Sequence, residues 1–86
     1  MQNKVTVYEI THISPGERKV FELPTFKAMR SAKNTAYALK KCRKALPYGV
    51  ERYSCQELGK KNGAWLVAIT AVEVIKQTED DEDENG

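Results

Sequence analysis

Residues 27–44 have the sequence KAMRSAKNTAYALKKCRK, which combines a helical pattern with a strong excess of positive charge. Ser31 is a favoured N-cap type, because its hydroxyl can accept a hydrogen bond from a free N–H of the first turn. Small or apolar residues then recur at spacings of three and four, the period of one helical face. They are Ala32, Thr35, Leu39, Cys42 and Leu46. This pattern predicts a helix from Ser31 to about Leu46, because Pro47 disfavours helical geometry in the residue before it. Residues 25–30 fit either an extended chain or an early helical turn.

The opposite side of this helix is predicted to be cationic. At about 100° per residue, Lys33, Tyr37, Lys40 and Lys44 fall together. Residues 27–44 hold seven of the fourteen Lys and Arg residues, and no acidic residue occurs between Glu22 and Glu51. Such a face is either the solvated exterior of an amphipathic helix or a surface that binds phosphates, whose charge Lys and Arg neutralise.

The charge of the chain is divided unevenly between a basic body and an acidic end. Residues 1–78 contain fourteen basic residues against six acidic ones, and residues 79–84, EDDEDE, carry the other six acids. We therefore expect one domain over residues 1–76 and a disordered acidic tail over residues 77–86. The tail either keeps the protein in solution, competes with nucleic acid for the basic helix, or recruits a basic partner.

Four strands are predicted around the helix. Residues 4–13 and 18–23 are rich in β-branched and aromatic types and flank Ser14-Pro15-Gly16, which has the pattern of a type II turn. Pro24 marks the end of the second strand, because proline cannot donate to a ladder. Residues 50–58 and 64–75 flank the loop of residues 59–63, whose Asn-Gly pair is the strongest short-range hairpin signal.

These elements predict an α+β fold: a four-stranded antiparallel sheet in the order β-β-α-β-β, with one helix packed on one face. In residues 64–75, Trp65, Val67, Ile69 and Ala71 lie on one side, and Leu66, Ala68, Val72 and Val74 on the other. A strand that is apolar on both sides indicates either a central strand covered on two faces, or a second face used for association. A homodimer through the Trp65 strand is one form of such association.

The sequence offers no pattern typical of an enzyme, a metal site or a cofactor site. Cys42 and Cys55 are predicted to be buried free thiols, and with His12 they do not make a metal-ligand set. We expect His12 to be a surface residue at a strand end. No run of apolar residues is long enough to span a membrane, and the start MQNKVTVYE lacks a secretory signal, so we expect a cytoplasmic location. Trp65 and Tyr53 are either core aromatics or, on an open sheet face, residues that stack on bases.

Three short features resemble small phage-encoded host-takeover proteins, such as the inhibitors of host RNA polymerase found in phages like T7. They are FELP (21–24), the Ala-rich helix opened by Ser31, and YGVERY (48–53). The resemblance implies a short sheet with one helix that docks on a host enzyme, and it assigns no residue a role. The helix of the phage T7 inhibitor is acidic whereas this one is basic, and that inhibitor has no counterpart of the Asn-Gly hairpin.

Together these patterns predict a non-enzymatic, basic protein that binds nucleic acid, with single strands favoured over a sequence-specific duplex. The residues expected at the interface are Arg30, Lys33, Tyr37, Lys40, Lys41, Arg43, Lys44, Lys60 and Lys61. Tyr37 would stack on a base, and the cations would contact phosphates. The alternative is a phage-encoded adaptor or inhibitor that docks on a nucleic-acid-processing host protein.

Overall fold

The computed structural model describes residues 2–42 and 46–75, which form two helices and a three-stranded sheet. In chain order the elements are α1 (Val7–Thr11), β1 (Arg18–Leu23), α2 (Phe26–Lys41), β2 (Val50–Lys61) and β3 (Ala64–Glu73). The sheet is antiparallel with the strand order β1-β3-β2. The α+β class is therefore confirmed, whereas the four-stranded sheet in β-β-α-β-β order is wrong for the described residues. The predicted tail, residues 77–86, lies outside the described ranges.

Residues 4–13, predicted to be the first strand, contain helix α1 instead. The Thr6 hydroxyl accepts a hydrogen bond from the Glu9 N–H at 3.2 Å, and the Glu9 carboxylate accepts one from the Thr6 N–H at 2.9 Å. This capping box satisfies free N–H groups at the start of the helix. It also holds the pKa of Glu9 below its ordinary value, through the Thr6 N–H first and the Gln2 amide second. The β-branched composition that predicts a strand is a context-dependent preference, and the capping box outweighs it here.

The turn at Ser14-Pro15-Gly16 is confirmed, but it joins α1 to β1 rather than two strands. Gly16 has φ +86°, and the Glu17 N–H donates to the Ser14 carbonyl at 2.9 Å, as a type II turn requires. Strand β1 ends at Leu23, directly before Pro24, as predicted. Its partner is β3.

Helix α2 begins at Phe26, so the predicted start at Ser31 is wrong. Thr25 is the N-cap, and its hydroxyl accepts a hydrogen bond from the Ala28 N–H at 3.0 Å. Both Thr25 and Ser31 carry a hydroxyl, so residue type alone does not decide between them. A helix capped by Thr25 rather than Ser31 adds Met29 to the buried face. The burial of Met29 in the core favours the earlier start.

The buried face of α2 also differs from the predicted one. Its members are Met29, Ala32, Ala36 and Leu39. Thr35 is half-buried, and Cys42, the C-cap, is exposed. The helix ends at Lys41, so Leu46 packs against the core from outside it.

The hairpin of β2 and β3 is confirmed, although its loop is shorter than predicted. Residues 59–61 belong to β2, and the turn consists of Asn62 and Gly63, with φ of +52° and +80°. Two positive φ angles in a two-residue loop are typical of a type I′ turn, which matches the twist of the flanking strands. Gly59, with φ +88°, lies at a bulge in β2.

The core lies between the two helices and one face of the sheet. Its sheet residues are Phe21, Leu23, Val50, Tyr53, Val67, Ile69 and Ala71, and Trp65 packs against them. From the amino-terminal segment Val5, Ile10 and Ile13 join the same cluster. The side of β3 that begins with Trp65 therefore faces the helices, and β3 is the central strand.

The opposite face of the sheet, here called the outer face, carries neither α1 nor α2. Across the three strands, Val20, Ala68 and Gln56 lie in one row of this face. Val20 is exposed, while Leu66 and Val72 are half-buried. Neither described helix therefore packs on this face of β3, although Ala68 within it is only 1% exposed. Because β1 and β2 occupy both backbone edges of β3, a second copy of the chain has access only to its outer face.

Candidate nucleic-acid interface

Five residues of α2 form one line along the side of the helix that faces β2. Phe26, Arg30, Lys33, Tyr37 and Lys40 follow one another at spacings of four, three, four and three, so they share one helical face. We call this line the α2 stripe. Three observations fix its direction: Phe26 meets Trp65 of β3, Lys33 meets Glu57 of β2, and Tyr37 and Lys40 line a cleft against β2. Lys44, predicted for the same face, and Arg43 lie outside the described residues.

At the carboxyl-terminal end of the α2 stripe, an open cleft of about 630 Å³ separates α2 from β2. It is lined by Tyr37, Lys40, Lys41, Arg52, Tyr53 and Ser54. Three of these residues are cations and none carries a carboxylate, but Arg52 is paired with Val72, so its side chain belongs to the outer-face row of β2. Lys40 and Lys41 occupy the last turn of α2, where the free carbonyl groups stabilise positive charge. Tyr37 is 42% exposed, so one aromatic ring borders a cationic cleft.

In the middle of the α2 stripe, Lys33 is neutralised by the protein itself. Its ammonium nitrogen lies 2.6 Å from a carboxylate oxygen of Glu57 on β2. This hydrogen bond raises the pKa of Lys33. Lys33 therefore stays a predicted phosphate contact, but in this structure Glu57 already holds its charge.

Within the part of the chain that the structure describes, the other cations of α2 are not paired in this way. Within residues 2–42 and 46–75, no carboxylate oxygen lies within 4.0 Å of the charged groups of Lys27, Arg30, Lys40 or Lys41. Among the described residues, then, no carboxylate competes with an external anion for these four cations. Arg30, Tyr37, Lys40 and Lys41 are all predicted interface residues, and the structure places them along one helix.

The two hairpin lysines, both predicted for the interface, lie on opposite faces of the sheet. Lys60 is paired with Trp65 across the strands and lies on the side of α2, with its nitrogen 5.9 Å from the Trp65 ring centroid. Lys61 is paired with Ala64 and borders an outer-face cleft with Glu22. The structure therefore joins Lys60 to the α2 stripe and separates Lys61 from it.

At the amino-terminal end of the stripe, two aromatic rings and two cations meet. The Phe26 and Trp65 rings are 5.2 Å apart between centroids and meet edge to face at 68°. The guanidinium carbon of Arg30 lies 5.8 Å from the Phe26 centroid. Phe26 and Arg52 are site residues that the sequence analysis missed. A helix start at Thr25 would have revealed Phe26 by its spacing, whereas Arg52 becomes visible only when β2 is placed beside α2.

Burial favours the neutral forms of two side chains of β2 that lie beneath α2, Tyr53 and Cys55. Tyr53 is a core aromatic, as one of the two predictions for it states, and burial raises the pKa of its hydroxyl. Burial also raises the pKa of the Cys55 thiol, and Lys33 and the Tyr37 hydroxyl offset part of this effect. Cys55 is half-buried and Cys42 is exposed, so the prediction of a buried thiol is wrong for Cys42.

The described residues show no arrangement that would hold a metal ion, since no three His, Cys, Asp or Glu side chains converge. His12 is exposed at the C-cap of α1, where it stacks on Tyr8 with 3.9 Å between ring centroids. Neither helix of the described residues has the length and apolar character that crossing a bilayer requires.

The chain matches no protein-family model, no curated protein and no solved structure. The interpretation of the α2 stripe therefore depends on its own geometry and charge.

Proposed function

We propose that this protein binds nucleic acid, without catalysing a reaction, through the cationic side of α2 that borders β2. The observation that carries this proposal is the cleft between these elements, because Lys40, Lys41 and Arg52 line it and no carboxylate does. A side chain on a solvated face is usually surrounded by charges of both signs. Here Lys40 and Lys41 lie together at the end of α2 beside the cleft, which suits a chain of phosphates.

The proposed mechanism is electrostatic. Each phosphate that meets a lysine or arginine releases condensed counterions, which gives affinity that falls with salt and depends little on base sequence. Tyr37, beside these cations and 42% exposed, adds a ring on which a base can stack. The electrostatic contacts do not depend on base sequence, and the stacking ring favours a base that is free of a duplex.

The test is the salt dependence of binding to a labelled single-stranded oligonucleotide. We expect binding at about 50 mM salt that weakens steadily as the salt is raised. The double substitution Lys40→Gln/Lys41→Gln should lower the slope of log K against log salt by roughly 1.4, the value for two lost contacts with a single strand.

The matched control is Arg18→Gln/Lys61→Gln, which removes the same charge away from the cleft. Arg18 lies on β1 and Lys61 on the outer face. The proposal predicts a much smaller change for this variant. Equal losses in the two double variants, or affinity indifferent to salt, would show that the cleft is not the interface.

The outer face favours a second candidate function, which is docking on another protein. Val20 is 43% exposed, and neither described helix covers this face. A phage-encoded adaptor or inhibitor would use such a face on a nucleic-acid-processing host protein. A stoichiometric partner that stays bound after nuclease treatment supports this function, and sedimentation of the purified chain reports whether the partner is a second copy.

A further inference from the structure

We propose that Phe26 and Trp65, with Arg30 and Lys60 beside them, form a stacking site for one unpaired base, so that the protein selects single strands over duplexes. This inference deepens the proposed function and depends on it. The four residues come from three elements, α2, β2 and β3. They lie at the other end of the α2 stripe from the cleft lined by Lys40 and Lys41, here called the lysine cleft.

The first argument is the exposure of Phe26. Its side chain is 45% exposed and is not part of the buried core, although Trp65 packs against that core. A ring that only closed the end of the core would be covered by its neighbours. Phe26 instead meets Trp65 edge to face at 5.2 Å and leaves much of its own surface open to a ligand.

The second argument is the chemistry around the two rings. Lys60 lies 5.9 Å from the Trp65 centroid and Arg30 lies 5.8 Å from the Phe26 centroid, both within the range of a cation–π contact. An open cleft of about 400 Å³ beside Phe26 is lined, in addition, by Lys27, Arg30, Ser31 and Asn34. A nucleotide presents a flat base together with an anionic phosphate, and the rings and cations match these two parts.

The third argument is the distance between this cluster and the lysine cleft. Phe26 and Lys40 are fourteen residues apart on one helical face, which is about 21 Å at 1.5 Å per residue. A single strand laid along the α2 stripe would therefore reach Tyr37 and the lysine cleft at the far end. Lysines attract single and double strands alike, whereas a ring can stack only on a base that is not already stacked within a duplex.

The intrinsic fluorescence of Trp65 provides a direct test, because Trp65 is the one tryptophan of the chain. The full chain is titrated with an oligothymidylate, with a duplex and with inorganic polyphosphate at equal phosphate concentrations. We expect the single strand to quench Trp65 and the duplex and polyphosphate to leave it nearly unchanged. Equal quenching by polyphosphate would overturn the proposal, because it would show a response to charge alone.

A substitution tests the role of the exposed ring. Phe26→Leu keeps an apolar side chain at the start of α2 and removes the aromatic surface. We expect it to weaken single-strand binding at least about fivefold while leaving duplex binding unchanged. Tyr48→Leu, at a position that is 96% exposed, is the matched loss of an aromatic ring elsewhere, and it should change neither affinity.

The outcomes separate this inference from the function on which it depends. If Phe26→Leu weakens single-strand and duplex binding equally or not at all, while salt-sensitive binding persists, the stacking site is wrong and the proposed function remains. If the unmodified chain binds no nucleic acid at about 50 mM salt, the proposed function itself fails.

Discussion

Under the proposed function, Glu57 competes with a phosphate for the charge of Lys33. Its carboxylate pairs with Lys33 at 2.6 Å, in the middle of the α2 stripe. Glu57→Gln removes the competing charge and frees Lys33 for an external anion. We expect single-strand affinity to rise by about fivefold near 0.1 M salt, with the salt slope steeper by roughly 0.7, as one added phosphate contact implies.

Fluorescence anisotropy of a labelled oligonucleotide, measured over a salt series, checks this prediction. Glu22→Gln removes the same charge near the outer-face lysine, Lys61, and serves as the control. A gain equal to that of the control would mean that the effect comes from net charge and not from the release of Lys33.

The lysines of the site show which features of a binding surface residue patterns can predict and which they cannot. The alternation of a strand predicts that Lys60 and Lys61 point to opposite faces. It does not say which of them joins α2, because that depends on the register that pairs Lys60 with Trp65. The pairing of Lys33 with Glu57 joins residues 24 positions apart. Helical spacing places Lys33 correctly on its face but carries no information about a partner from a distant strand.

At the scale of elements, the start of α2 is open to a direct test. Thr25 caps the helix through a hydrogen bond of 3.0 Å to the Ala28 N–H, whereas Ser31 lies inside the helix and is exposed. We expect Thr25→Ala to lower the free energy of unfolding by about 1 kcal/mol. Ser31→Ala should leave it unchanged or raise it slightly, because alanine is the better helix former in a helix interior.

Urea unfolding followed by circular dichroism measures both variants. The unmodified chain is the reference, and equal slopes against urea ensure that stabilities are compared. A larger loss for Ser31→Ala than for Thr25→Ala would restore the predicted start at Ser31 and contradict the observed one.

Elements with a strong local signal were predictable, and those with competing signals were not. Asn62-Gly63 demands a tight hairpin, and the structure has one there. Residues 4–13 contain two signals, a β-branched composition and the Thr6-x-x-Glu9 capping pattern. The capping pattern wins because Ile10 and Ile13 can enter the core from a short helix, and this depends on a sheet that local sequence does not describe.

At the scale of the whole molecule, the order of the strands lay beyond sequence patterns. Strand β1 pairs with β3, the strand farthest from it along the chain, and the intervening α2 crosses the sheet. Two adjacent hairpins are the simpler arrangement, but they would require residues 4–13 to be extended. Once those residues fold as α1, β1 has no local partner, and β3 offers it a free edge with a largely apolar helix-facing side.

The acidic residues 79–84 largely offset the positive charge of the rest of the chain. Removing residues 79–86 deletes six of the twelve acidic residues and no basic one, so the formal net charge rises from +2 to +8. A tethered anion competes at an effective concentration that can reach the millimolar range for short flexible linkers. If the tail occupies the lysine cleft, its removal should tighten single-strand binding at about 50 mM salt.

The same competition should weaken as salt screens it, because the Debye length falls from about 10 Å at 0.1 M to about 3 Å at 1 M. The affinities of the full-length and shortened chains should therefore converge as the salt is raised. A chain of full length whose six acids are replaced by their amides separates charge from length, and it should behave like the shortened chain. Unchanged affinity in both variants would leave the tail the role of keeping the protein in solution, since the lysine cleft would then be open with or without it.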